Sequence, residues 1–145
     1  MKFNQPMLHH IGYVVPSIAA AGARFAKSLG AVWDERIIHD PLQKVFVSFL
    51  TQGNELAPQI ELVEPGGEDS PVLAFLKRGG GLHHLCFEVD DLDLQIQQMR
   101  AGRSMLARAP LPAVAFAGRR IGWILTPDRL LVEYLERFIP DLEPK

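Results

Sequence analysis

Four residues set in apolar strands carry the chemistry this 145-residue chain offers: His10, Glu61, His84 and Glu133. His10 and His84 are 74 residues apart, and Glu61 and Glu133 are 72 apart, so a His and Glu combination recurs as a unit. Glu61 lies in QIELV and Glu133 in LLVEYL. A carboxylate buried mid-strand among apolar neighbours is costly unless a cation or a donor meets it. A divalent ion removes that cost. Two neutral imidazoles with two carboxylates suit zinc, nickel, cobalt, manganese or iron, and octahedral coordination leaves positions open for water or substrate oxygens. A lone strand His or Glu is ordinarily a solvated or satisfied residue, and it is the repetition that singles out these four. His9 and His83 are repeated as well, but strand alternation turns them to the opposite face, where they read as structural or supporting groups. His39 precedes Asp40 and Pro41 in an expected loop and has no repeat counterpart.

The elements that must position these groups are themselves duplicated. LHHIGYVVPSI (8–18) aligns on LHHLCFEVDDL (82–92), each a strand running into a helix. Pro16 and Ser17 precede the first helix and Asp90 and Asp91 the second, so each has an N-cap oxygen at hand, and Gly30 and Gly102 supply the helix stops. Ile18, Ala21, Phe25 and Leu29 form the apolar stripe of the first helix, and Leu92, Ile96 and Met99 that of the second. Strand signals follow in each half: VFVSFL and QIELVE, then RIGWIL and LVEYLE. Between the halves, Pro65-Gly66-Gly67 breaks the chain, Ser70 and Pro71 start a short helix PVLAFLKR, and Gly79-Gly80-Gly81 ends it. The expected fold is α+β: one domain over 1–145 built from two βαβββ modules, about 7–64 and 82–137, with a linker helix in 65–81. The modules are related by a pseudo-two-fold, either within the chain or exchanged between subunits.

Composition narrows the partners. With 15 Lys and Arg against 17 Asp and Glu, a net charge of −2 and no basic cluster, the chain lacks the concentrated positive face that nucleic acid requires. No apolar stretch approaches a membrane span, and MKFNQPML has no apolar run that could act as a signal peptide. The single Cys86, between Leu85 and Phe87, is expected to be a buried thiol in a reducing compartment. These features lead to the expectation of a cytoplasmic protein acting on a small molecule.

The same residues give the chain a resemblance to the vicinal oxygen chelate superfamily of glyoxalases, bleomycin resistance proteins and dioxygenases, and it covers almost the whole sequence. LHHIGYVVPSI, QIELVEPGGEDSPVLAFLKRGGGLHHLCFEVDDL and LLVEYLE look most like methylmalonyl-CoA epimerases, with EDSP followed by GLHH the most specific part. The resemblance implies a curved mixed sheet around a metal site. It makes His10, His84 and Glu133 ligands of one divalent ion and Glu61 the fourth. It also implies a proton shift next to a carbonyl, with Glu133 and Glu61 as candidate bases and a CoA thioester or a glutathione adduct as substrate. The same ligand set resembles lactoylglutathione lyase (glyoxalase I), and the superfamily also holds non-enzymatic ligand-binding proteins and iron dioxygenases. Two positions depart from the epimerase pattern. Val47 stands where some of those enzymes carry a Glu on the third strand, with Ser48 beside it pointing to the other face. Thr126-Pro127-Asp128-Arg129 replaces a His-Pro-Lys turn. Two basic pairs, Arg119 with Arg120 and Lys77 with Arg78, are further candidates to meet a substrate carboxylate or phosphate.

Overall fold

Each half of the chain begins with a strand that runs into a helix capped by its own side chains. In the computed structural model, which describes residues 5–138, β1 (Met7–Val14) leads to α1 (Ile18–Leu29). Ser17 is extended and its hydroxyl accepts the Ala20 N–H at 3.2 Å, while Glu64 accepts the Ile18 N–H at 2.8 Å. Two of the free donors at the helix start are thereby satisfied. Gly30 closes the helix in the left-handed region at φ 61°, as a C-terminal glycine does. Ile18 and Ala21 are buried and Phe25 is partly so, but Leu29 is exposed, so the apolar stripe is one turn shorter than its spacing suggests.

The described residues form two compact units, His9–His83 and the stretch from His84 onward together with residues 5–8. The first contains β2 (Val32–Trp33), β3 (Ile38–Asp40), β4 (Val45–Thr51) and β5 (Gln59–Pro65), in the order β2-β4-β5-β1, with β3 pairing beside β2 along β4. β1 and β5 are parallel; the β4 pairings are antiparallel. The single strand expected between α1 and β4 is therefore split into β2 and β3. The cause is local: Asp34 Oδ1 accepts the Arg36 N–H at 3.0 Å and Glu35 takes φ 65°, a turn that breaks extended pairing. His39 is in β3 rather than in a loop, and its exposed ring stacks on Phe46 at 4.6 Å. The core of this unit gathers Val15, Ile18, Ala21, Leu50 and Leu62 between α1 and the sheet. The linker helix, α2, is confined to Leu73–Lys77. Ser70 and Pro71 lie in the turn ahead of it. Gly80 has φ 67°, and a Cβ there would stand 2.8 Å from the Val14 carbonyl oxygen.

The second unit repeats the plan. β6 (Gly81–Val89), α3 (Leu92–Ala101), β7 (Met105–Pro112), β8 (Arg120–Leu125) and β9 (Leu131–Glu136) follow in sequence. The sheet order is β6-β9-β8-β7, with β6 parallel to β9. Asp91 caps α3 by accepting the Leu94 N–H at 2.9 Å. The helix closes differently from α1: Gly102 keeps φ −86° in a tightened last turn, and Arg103 takes the left-handed conformation at φ 72°. Val89, Leu92, Ile96, Ile124, Val132 and Tyr134 make the core between α3 and the sheet, with Met99 packed against it. The fold is thus α+β with the βαβββ plan in both units, the first carrying the split strand.

Candidate metal centre

Strand register places the site residues. In the first unit Gly12 pairs with Glu61 and His10 with Gln59; in the second Cys86 pairs with Glu133. Gly12 and Cys86 follow His10 and His84 by two residues, so each glutamate sits one pleat along from its histidine on the adjacent parallel strand, facing the same side. That side is opposite the helix, because the neighbours Leu62, Val132 and Tyr134 point into the helical cores.

All four side chains are withdrawn from water: His10 is 0%, Glu61 4%, His84 4% and Glu133 2% exposed. His10 Nε2 lies 3.6 Å from Glu61 Oε1, and His84 Nε2 lies 3.8 Å from Glu133 Oε1. These separations exceed a good hydrogen bond. They come near the spacing of two ligand atoms on one tetrahedral ion, which at about 2.1 Å from the metal stand about 3.4 Å from each other. Each buried pair thus presents an imidazole nitrogen and a carboxylate oxygen, ligand types that a divalent metal takes. His9 supports the first pair, its Nδ1 lying 2.8 Å from His10 Nδ1, so that one ring donates to the other and His10 keeps Nε2 for the glutamate side. His83 instead packs edge-on against Phe75 of α2, with ring centroids 4.8 Å apart. Strand alternation alone would turn His9 to the face opposite His10, yet its ring meets the His10 ring edge-on with centroids 5.1 Å apart.

Two aromatic residues complete the pairs. Phe49 is the cross-strand partner of Glu61 and meets His10 edge to face at 5.8 Å; Trp123 is the partner of Glu133 and meets His84 likewise at 4.7 Å. Phe49 and Trp123 are 74 residues apart, the same offset as the two histidines, and that offset is the signal by which they could have been found. Val47 shares the Glu61 face, because it pairs with Val63 one pleat further along, and it is 5% exposed. Ser48 points to the helix side as expected, receiving the Trp33 Nε1–H at 2.7 Å and donating to the Arg36 carbonyl.

Arg119 and Arg120 are committed elsewhere. Arg119 donates to Glu88 at 2.7 Å, and the Arg120 fork grips Glu136 at 2.9 Å and Asp93 at 3.1 Å. The Glu136 bond first, and then Asp93, hold the Arg120 guanidinium even more firmly protonated than usual. These two arginines brace β6, β8, β9 and α3 rather than await an anion. Lys77 and Arg78 are exposed at the end of α2, where cations complement the carbonyl ends. The Thr126-Pro127-Asp128-Arg129 turn is closed on itself: the Arg129 N–H donates to the Thr126 carbonyl at 2.9 Å, and the Leu130 N–H to the Thr126 hydroxyl at 3.0 Å.

Comparison with known proteins agrees with this geometry. Residues 9–123 match the family model described as the Glyoxalase/Bleomycin resistance protein/Dioxygenase superfamily. The chain is 31% identical over 123 residues to the ethylmalonyl-CoA/methylmalonyl-CoA epimerase of Cereibacter sphaeroides, covering 83% of this chain and 89% of that protein. It is 35% identical over 102 residues to the mitochondrial methylmalonyl-CoA epimerase of Bos taurus, a match spanning 68% of this chain but only 55% of the bovine protein's length. Among solved structures, methylmalonyl-CoA epimerase from Mycobacterium tuberculosis superposes with a TM-score of 0.72 at 28% identity, covering 93% of this chain and 89% of that one. With its duplicated βαβββ plan and its match over residues 9–123, the chain belongs to the Glyoxalase/Bleomycin resistance protein/Dioxygenase superfamily.

Proposed function

We propose that this protein is a metal-dependent epimerase of the methylmalonyl-CoA type, moving a proton on the carbon next to a thioester carbonyl. The observation that carries this is the identical register of two buried His–Glu pairs, Gly12 opposite Glu61 and Cys86 opposite Glu133. Similarity to enzymes named methylmalonyl-CoA epimerase supports the substrate class. His10, Glu61, His84 and Glu133 together hold one divalent ion, zinc, nickel, cobalt or manganese, which when bound supplies positive charge to stabilise the negative oxygen that develops as the carbon loses its proton.

The chain's own residues do the rest. Epimerisation removes a proton from one face of the carbon and returns one to the other, so it needs two proton-handling groups. Glu133 and Glu61 fill these roles; Val47, on the Glu61 face, has no exchangeable proton. Phe49 and Trp123 hold the histidine rings and exclude water from the glutamates, which keeps the local field strong. The buried thiol of Cys86 fits a reducing cytoplasm, and the working assembly is a homodimer.

The test is incubation of purified, metal-loaded protein with methylmalonyl-CoA in deuterated water, following deuterium at the α-carbon by mass spectrometry. One deuterium gained at an enzymatic rate is expected. No exchange overturns the proposal, and formation of lactoylglutathione from the methylglyoxal–glutathione adduct in a parallel assay would replace it with the lyase.

A further inference from the structure

The repeat that builds the site is broken on its working face where a polar side chain in one half answers to an apolar one in the other. His10 matches His84, Glu61 matches Glu133 and the aromatic Phe49 matches the aromatic Trp123, but Gln59 matches Leu131. Gln59 is the register partner of His10 and lies two residues before Glu61, so its side chain stands on the same face as the first pair, and it is half-exposed. Leu131 has the equivalent place two residues before Glu133.

A substituted malonyl thioester is itself lopsided about the reacting carbon, with a free carboxylate on one side and the thioester on the other. A site made of two matching halves can tell these ends apart only where the halves differ. We infer that Gln59 is the specificity-determining residue that seats the free carboxylate of the substrate, an inference that rests on the epimerase function proposed above. Its amide N–H groups donate to a carboxylate. Leu131 offers no donor, and the carboxylate end is directed to the Gln59 half.

The experiment compares wild type with Gln59→Leu, which copies the other half, and Gln59→Glu, which keeps the shape but loses the N–H donors. Metal content is measured by plasma mass spectrometry, and binding of methylmalonyl-CoA and of propionyl-CoA, which lacks the free carboxylate, is measured by calorimetry. Both variants are expected to keep their metal and bind methylmalonyl-CoA about 10- to 100-fold more weakly, as befits a lost hydrogen bond to a charged group. Their affinity for propionyl-CoA stays at the wild-type value. An equal loss for both esters, no loss for either, or a loss of metal overturns the assignment of Gln59. Wild-type protein that neither binds methylmalonyl-CoA nor exchanges its α-proton overturns the epimerase reading instead, and this inference with it.

Discussion

Replacing Gly22 by Ala sets two physical expectations against each other. Helix propensity alone favours Ala over Gly in the interior of α1 by about 1 kcal/mol. Packing predicts the opposite sign, because a Cβ at position 22 would lie 2.5 Å from Cη2 and Cζ2 of Trp33 and 2.6 Å from Cε2. Carbon atoms in good contact are about 3.5–4.0 Å apart. The indole cannot simply swing away, since its Nε1–H donates at 2.7 Å to the hydroxyl of Ser48, a residue that is 0% exposed. Overpacking costs about 1–3 kcal/mol, and losing the bond to a buried hydroxyl adds about 1–2 kcal/mol. With the propensity gain deducted, Gly22→Ala should destabilise by about 1–4 kcal/mol, lowering Tm by roughly 3–12 °C in a chain of this size. Scanning calorimetry with near-ultraviolet circular dichroism measures this. Combining Gly22→Ala with Trp33→Phe should cost less than the sum of the two single changes. A Tm equal to or above wild type for Gly22→Ala would refute the packing of α1 on β2 and β4, the latter being the strand that carries Phe49.

Two further outcomes follow from the second unit. Arg120→Met leaves Glu136, whose side chain is 5% exposed, without its fork; because Arg120 is itself about one-third exposed, the loss is discounted for solvent screening to about 2 kcal/mol, read as a lower urea midpoint with substrate affinity unchanged. Burial raises the pKa of Tyr134 above its ordinary value, partly offset by a hydrogen bond from Gln95. The unfolded chain therefore ionises first as pH climbs past about 10. Tyr134 thus favours the folded state below that pH, and its contribution falls as pH rises from the unfolded toward the folded pKa. Urea midpoints at pH 8 and 10.5 should fall less between the two in Tyr134→Phe than in wild type, and equal falls would contradict the assignment.

The features that recur in the chain were legible, and those made by single residues or distant partners were not. The two histidines, the two glutamates and the strands that carry them repeat at offsets of 74 and 72 residues, and the structure gives both halves one register. The split of β2 from β3 was hidden because Glu35, a non-glycine residue, takes the left-handed conformation. Residue type points to Gly102 as the close of α3, although Arg103 adopts the positive φ. Arg119 and Arg120 resembled anion ligands in sequence because Glu88 and Glu136, which occupy them, are 31 and 16 residues away. The Pro41 that follows makes His39 read as loop in sequence, whereas its pairing comes from Phe46 across the β3–β4 turn.

We propose that the two His–Glu pairs share one ion. The most direct test of this is the stoichiometry of metal bound by purified protein at saturation with cobalt, measured by equilibrium dialysis and plasma mass spectrometry, alongside Glu133→Ala. One ion per chain in the wild type, lost in the variant, is the predicted result. Two ions per chain would mean that each pair binds separately, and an undiminished ion in Glu133→Ala would show that Glu133 is no ligand; either would contradict the account.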